Sequence, residues 1–125
     1  ARSVDRRWLE RFLASPLADE LRAAKNVERE YRFSLLVDAK DYYSGVAPDD
    51  QVLLQGVVDL FAETEEGIIV VDFKTDYVTQ ENIGEKISSY RPQVEVYSAA
   101  LEQIFEKTVV RRVLYFLRTG EAIEV

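Results

Sequence analysis

The chain has 125 residues, 47% hydrophobic and 31% charged, with 16 Lys and Arg against 23 Asp and Glu for a net charge of −7. It has no Cys and no His, which excludes disulfides, thiolate or imidazole metal sites, cysteine nucleophiles and a Ser-His-Asp triad. Any catalysis falls to carboxylates, Lys, Tyr, hydroxyls or a bound metal, and the length suits one domain with a substantial core.

Val4 to Leu13 sets Trp8, Leu9, Phe12 and Leu13 at helical spacing opposite Arg and Glu, which predicts an amphipathic helix. Ser15-Pro16 reads as an N-cap and first helical residue, opening a second short helix through Leu17 and Leu21 toward Lys25. Tyr31–Val37 is rich in strand formers, and Asp38–Gln51, with Gly45, Pro48 and several Asp, reads as an irregular connection or a frayed hairpin tip. Val52–Glu63 predicts a long strand in which Gly56 marks a bulge or a close approach. A tight turn at Thr64–Gly67 leads into Gly67–Lys74, apolar enough to be a central strand. Asp76–Arg91 reads as loop plus one short helix ending before Pro92, and Pro92 as the start of the helix that continues to Phe105. Arg112–Leu117 and Ala122–Val125 complete the set as strands. Helices first, then three strands, a helix and two strands predict an α/β fold with a mixed sheet flanked by helices.

No apolar run approaches the length of a membrane span, and no signal-peptide core opens the chain. These features point to a soluble cytoplasmic domain with no membrane partner. The charge is uneven: residues 1–40 carry nine basic against seven acidic residues, and the remainder is strongly acidic. An acidic surface repels phosphate backbones but, gathered in a cleft, attracts divalent cations.

Two consecutive strands each carry one Asp near the end of an apolar run. In the second, the two-residue period puts Asp72 and Lys74 on one face. If the Thr64–Gly67 turn pairs the strands antiparallel, residues whose numbers add to about 131 face each other, and Asp59 meets Asp72. Two carboxylates in a half-buried site become tolerable when a cation bridges them or a proton is shared. All-oxygen donors suit Mg²⁺ or Mn²⁺, and a neighbouring Lys can offset charge developing on a phosphodiester, so metal-assisted phosphodiester hydrolysis fits without His or Cys.

Gly56-x-x-Asp59, then Asp72-Phe73-Lys74, then Gln93-x-x-x-Tyr97, in this order and spacing, resembles the PD-(D/E)XK nuclease superfamily. Within it the likeness is to RecB-type nuclease domains, and more narrowly to the C-terminal nuclease domain of AddA-type helicase–nuclease subunits. The resemblance implies a restriction-endonuclease-like fold spanning 1–125 as a single nuclease domain, cut from the C-terminal part of a larger helicase–nuclease. It implies a Mg²⁺- or Mn²⁺-dependent DNA exonuclease acting in double-strand break repair and recombination, whose partners are DNA, helicase domains of the same polypeptide and a second helicase–nuclease subunit. By the same likeness Asp59 and Asp72 are metal ligands, the Phe73 backbone carbonyl is a further ligand, and Lys74 is the catalytic lysine. Glu30 is the upstream acidic residue near the metal, directly or through water, and Gln93 and Tyr97 line the site and contact DNA. Many RecB-type relatives add an upstream His; here it either precedes Ala1 in a longer parent or is dispensed with. Relatives that hold an iron–sulfur cluster on four Cys are excluded by composition. A catalytically idle docking or DNA-guiding module, or a stand-alone phage or mobile-element exonuclease, remain the other readings of the same motifs.

Overall fold

The computed structural model describes residues 4–125. Helices α1 (Arg6–Leu13) and α2 (Pro16–Arg22) lead into strand β1 (Asn26–Asp38), a short 3₁₀ turn (Ala39–Asp41), β2 (Gln51–Glu63), β3 (Ile68–Lys74), α3 (Ile83–Phe105), β4 (Val109–Phe116) and β5 (Glu121–Glu124). The five strands form one sheet in chain order, with β3 parallel to β4 and every other pair antiparallel. The expected mixed α/β architecture holds, and β3 is the central strand.

Both N-terminal helices start as their sequence dictates. Asp5 caps α1 by accepting the Arg7 N–H at 2.8 Å, and Ser15 caps α2 by accepting the Ala18 N–H at 3.2 Å, with Pro16 supplying the first helical residue. Their apolar stripe buries Phe12, Leu17, Ala18 and Leu21 against Leu60, Ile69, Val71, Val113 and Tyr115 on one side of the sheet. Each large side chain buried there contributes roughly 1.5–3 kcal/mol. On the other side α3 buries Ala100 and Leu101 against Phe33, Val58, Phe61, Ile68 and Val70.

Four elements differ from the sequence reading. The first strand begins at Asn26 rather than Tyr31; Asn26 to Glu30 is exposed, polar apart from Val27 and without alternation, yet most of it pairs with β2. The last two strands shift by a few residues, Val109–Phe116 and Glu121–Glu124. The largest difference is α3, one 23-residue helix with Pro92 inside it, where a short helix and a second one starting at Pro92 were expected. Proline there removes the N–H that would reach the Ser88 carbonyl. Ser88, Ser89 and Pro92 are all exposed, so water can meet the orphan carbonyl and the helix continues.

One irregularity positions the site. The β1–β2 pairing keeps one register along its length, yet skips the rung of Glu30 and Asp59, and Glu30 has a left-handed φ of 50°. Val58 packs on the α3 side whereas Leu60, two residues on, packs on the α1 side. A regular strand would put both on one face, so the ribbon switches faces at this rung. Beyond it, β2 leaves β3, because the β2–β3 pairing ends at Leu60 opposite Val71. The remaining ribbon, Tyr31–Asp38 with Gln51–Val58, is held to the body through Phe33 and Gly56 against Tyr97.

Candidate active site

The C-terminal end of β3 emerges where β2 departs. Leu60 faces Val71 in the register that adds to 131, and one further step of that register sets Asp59 opposite Asp72. There the ladder gives way to a side-chain contact, as Asp59 Oδ2 accepts the Phe73 N–H at 2.9 Å. This bond satisfies a backbone donor left open by the splayed strand and holds the Asp59 carboxylate at the end of β3.

Asp72 is 8% exposed, and the Lys74 ammonium lies 2.9 Å from its Oδ2. This ion pair engages Oδ2, which is otherwise buried. Burial, and after it the neighbouring Asp59 carboxyl, pushes the Asp72 carboxyl up to about 6, with Lys74 pulling the other way. Lys74 is held on two further sides. Its ammonium donates to Gln93 Oε1 at 3.5 Å and lies 4.1 Å from the centre of the Tyr90 ring. Gln93 Nε2 in turn donates to the Tyr97 hydroxyl at 3.3 Å. Asp72, Lys74, Gln93 and Tyr97 thus form one chain of contacts from β3 to α3.

Gly56 has a steric reason to lack a side chain: a Cβ there would lie 2.7 Å from Tyr97 Cε1 and 3.0 Å from the Phe33 ring. The glycine of the G-x-x-D element is therefore a close approach, which seats the Tyr97 ring against β2.

Glu30 is exposed. It lines, with Asp59 and Arg29, a cavity of about 450 Å³ whose opposite wall is apolar α1, including Leu9, Phe12 and Leu13. Among the described residues no three carboxylates gather into a cage able to hold a metal, so Glu30 shares the cavity with Asp59 without joining Asp59 and Asp72 in a triad. Asp59, Asp72, Lys74, Gln93 and Tyr97 are brought together, with the Phe73 carbonyl between the two β3 side chains in sequence.

One contributor was not singled out by its pattern. Tyr90 covers Lys74 and donates its hydroxyl to Asp76 at 2.8 Å, and Asp76 pairs with Lys86 at 3.0 Å. Burial acts to raise the Asp76 carboxyl, but the Lys86 and Tyr90 contacts outweigh it and hold it below its ordinary value. The signal for Tyr90 was available, since Tyr90, Gln93 and Tyr97 recur at three and four residues along one helix face.

An all-oxygen donor set of two carboxylates and a backbone carbonyl matches Mg²⁺ or Mn²⁺, which commonly retain several waters beside one or two protein carboxylates. Asp72 Oδ2 is buried and faces the Lys74 ammonium, and burial together with the neighbouring Asp59 raises the affinity of that carboxyl for a proton, both of which suit a carboxylate pair that a cation could bridge.

A family model described as the PD-(D/E)XK nuclease superfamily matches residues 1–124. Three relatives carry the name of an ATP-dependent helicase/nuclease subunit. That of Thermoanaerobacter sp. (strain X514) is 32% identical over 127 residues, covering 99% of this chain and 10% of the relative. That of Acetivibrio thermocellus is 35% identical over 127 residues, covering 98% and 10%, and that of Pediococcus pentosaceus 38% identical over 105 residues, covering 81% and 8%. The chain spans about a tenth of the length of these curated relatives.

Proposed function

The chain belongs to the PD-(D/E)XK nuclease superfamily, and from that premise we propose that it is the divalent-metal-dependent deoxyribonuclease module of a larger helicase–nuclease polypeptide. Its substrate is DNA, its mode exonucleolytic, and its setting the cytoplasmic repair and recombination of double-strand breaks, together with a second helicase–nuclease subunit. Relatives that carry helicase/nuclease names and are about ten times longer support the larger setting. Among the described residues no helix is long and apolar enough to cross a membrane.

The observation that carries the proposal is the Asp72–Lys74 pair at the end of the central strand, with Asp59 fastened to the backbone between them. Asp59, Asp72 and the Phe73 carbonyl would hold Mg²⁺ or Mn²⁺, with Glu30 acting through water. When bound, the ion supplies Lewis acidity toward a phosphodiester oxygen and lowers the pKa of a bound water.

The chain's own residues do the rest. Lys74 orients a water through an N–H of its ammonium and offsets charge developing on the phosphate oxygens. Asp72 loses its proton below neutrality, freeing both oxygens for ligation. Gln93 and the Tyr90 ring restrict the Lys74 side chain, reducing the orientational freedom lost as the bond breaks. Tyr97 positions Gln93 and presents its hydroxyl edge toward the approaching backbone of the DNA.

The test is incubation of the chain with linear single- and double-stranded DNA and Mn²⁺, beside Asp72→Ala. Metal-dependent degradation by the wild type alone is the expected result. Equal degradation by both proteins, or none by either, rejects the proposal.

A further inference from the structure

Although the chain is strongly acidic, three arginines and its single tryptophan share one depression on the outer side of α1. Arg7, Trp8, Arg11 and Arg118 line a cavity of about 250 Å³, and no carboxylate lines it. The Arg118 guanidinium lies 5.0 Å from the centre of the Trp8 ring. Arg11 is held by backbone acceptors, donating to the Leu117 and Arg118 carbonyls at 2.8 and 2.7 Å. Neither Arg11 nor Arg118 forms an ion pair with a carboxylate among the described residues, whereas the exposed Arg7 donates through Nε and Nη2 to the half-buried Asp5 at 3.3 and 3.0 Å. Without carboxylate counter-charges of their own, the Arg11 and Arg118 guanidinium groups repel each other and keep their remaining donors for an anion.

The depression is fastened to the end of β3. Arg118 Nε donates to the carbonyl of Thr75, the residue after Lys74, at 3.2 Å, and the Leu117 N–H donates to the Lys74 carbonyl at 2.9 Å. Trp8 is half-buried, its ring packed in part against the α1–α2 core. Cations paired with aromatic rings are one way proteins hold single strands, phosphates on the cations and bases stacked on ring and guanidinium planes. Duplex DNA offers no free base face except at its ends.

We infer that the depression formed by Arg7, Trp8, Arg11 and Arg118 binds single-stranded nucleic acid and holds the strand that flanks the bond at Lys74. The second half rests on the nuclease reading; the binding itself does not. In a chain of net charge −7, this depression is lined by three arginines and no carboxylate.

Trp8 is the only tryptophan among seven tyrosines, so fluorescence under excitation selective for tryptophan reports on this site alone. Titration with a twelve-residue oligothymidylate in EDTA, where no cleavage occurs, is expected to quench Trp8 saturably. A blunt hairpin duplex of equal charge should bind at least roughly tenfold more weakly. Arg7→Glu and Arg118→Lys, with unchanged circular dichroism, should weaken the single strand by about threefold or more, and Arg7→Glu should flatten the salt dependence by roughly one phosphate contact. Arg118→Lys keeps the charge while removing the planar stack, so its loss separates stacking from attraction alone. Absent quenching, equal affinity of wild type and Arg7→Glu, or duplex binding as tight as the single strand overturns the inference. Quenching in a chain that fails to cleave with Mn²⁺ would reject the nuclease reading and leave this site standing; cleavage without quenching would do the reverse.

Discussion

Removing the charge at Asp72 is expected to stabilise the metal-free chain. Burial and the adjacent Asp59 carboxyl raise its folded value to about 6, above an ordinary 3.8. The folded chain therefore retains a proton that the unfolded chain has released, so the contribution is full below 3.8 and is lost as the pH rises through about 6. One site with these two values lowers stability by about 3 kcal/mol in all by pH 7, of which about 1.3 kcal/mol is lost between pH 5 and 7. The chain has no His, and Glu63 and Asp76 are held below their ordinary values and titrate under this window. In a domain of this size the loss corresponds to about 4 °C in Tm. Thermal melts in EDTA at pH 5, 6 and 7 should fall by that amount for the wild type. Asp72→Asn should melt higher than the wild type at pH 7 with the slope largely gone. A wild-type Tm that is flat or rises from pH 5 to 7, or an Asp72→Asn protein with the wild-type slope, would refute the reasoning.

Gly56→Ala forces a methyl against Tyr97 and Phe33, and should cost about 1–3 kcal/mol in denaturant unfolding while lowering cleavage by displacing Tyr97; unaltered stability would show that the ring yields freely. Gly67→Ala combines a φ of +146° with overlap of the Thr108 carbonyl oxygen. It should therefore destabilise more than Gly45→Ala, whose added Cβ meets nothing within 4 Å, and the reverse order in urea would contradict the packing described. Ser15→Ala removes the α2 cap and should cost about 1 kcal/mol with no change in Mn²⁺ affinity.

Much of this site was readable from local rules. The turn at Thr64–Gly67 determines the β2–β3 register, and the two-residue period then puts Asp72 beside Lys74, as the 2.9 Å contact bears out. What resisted sequence reading depends on partners distant along the chain. Asn26 to Glu30 is exposed and, apart from Val27, polar, and it extends as strand because β2 lies alongside it, which no pattern in those five residues reveals. Pro92 signals a helix start by its local chemistry, but solvent at Ser88 allows the helix to pass through it. The face switch at Glu30 and Asp59 follows from two strands twisting together, and only β1 betrays it, through a left-handed glutamate. Likewise the Gln93–Lys74 and Tyr90–Lys74 contacts depend on where α3 crosses the sheet.

The central claim is that Asp59 and Asp72 bind the ion while Lys74 acts on the phosphate. Calorimetric titration with Mn²⁺, paired with cleavage of linear DNA in the same preparations, tests it most directly. Asp59→Ala and Asp72→Ala should lose both Mn²⁺ binding and cleavage, whereas Lys74→Ala should bind Mn²⁺ and fail to cut. Wild-type Mn²⁺ affinity in Asp59→Ala, or wild-type cleavage in Lys74→Ala, would contradict the account.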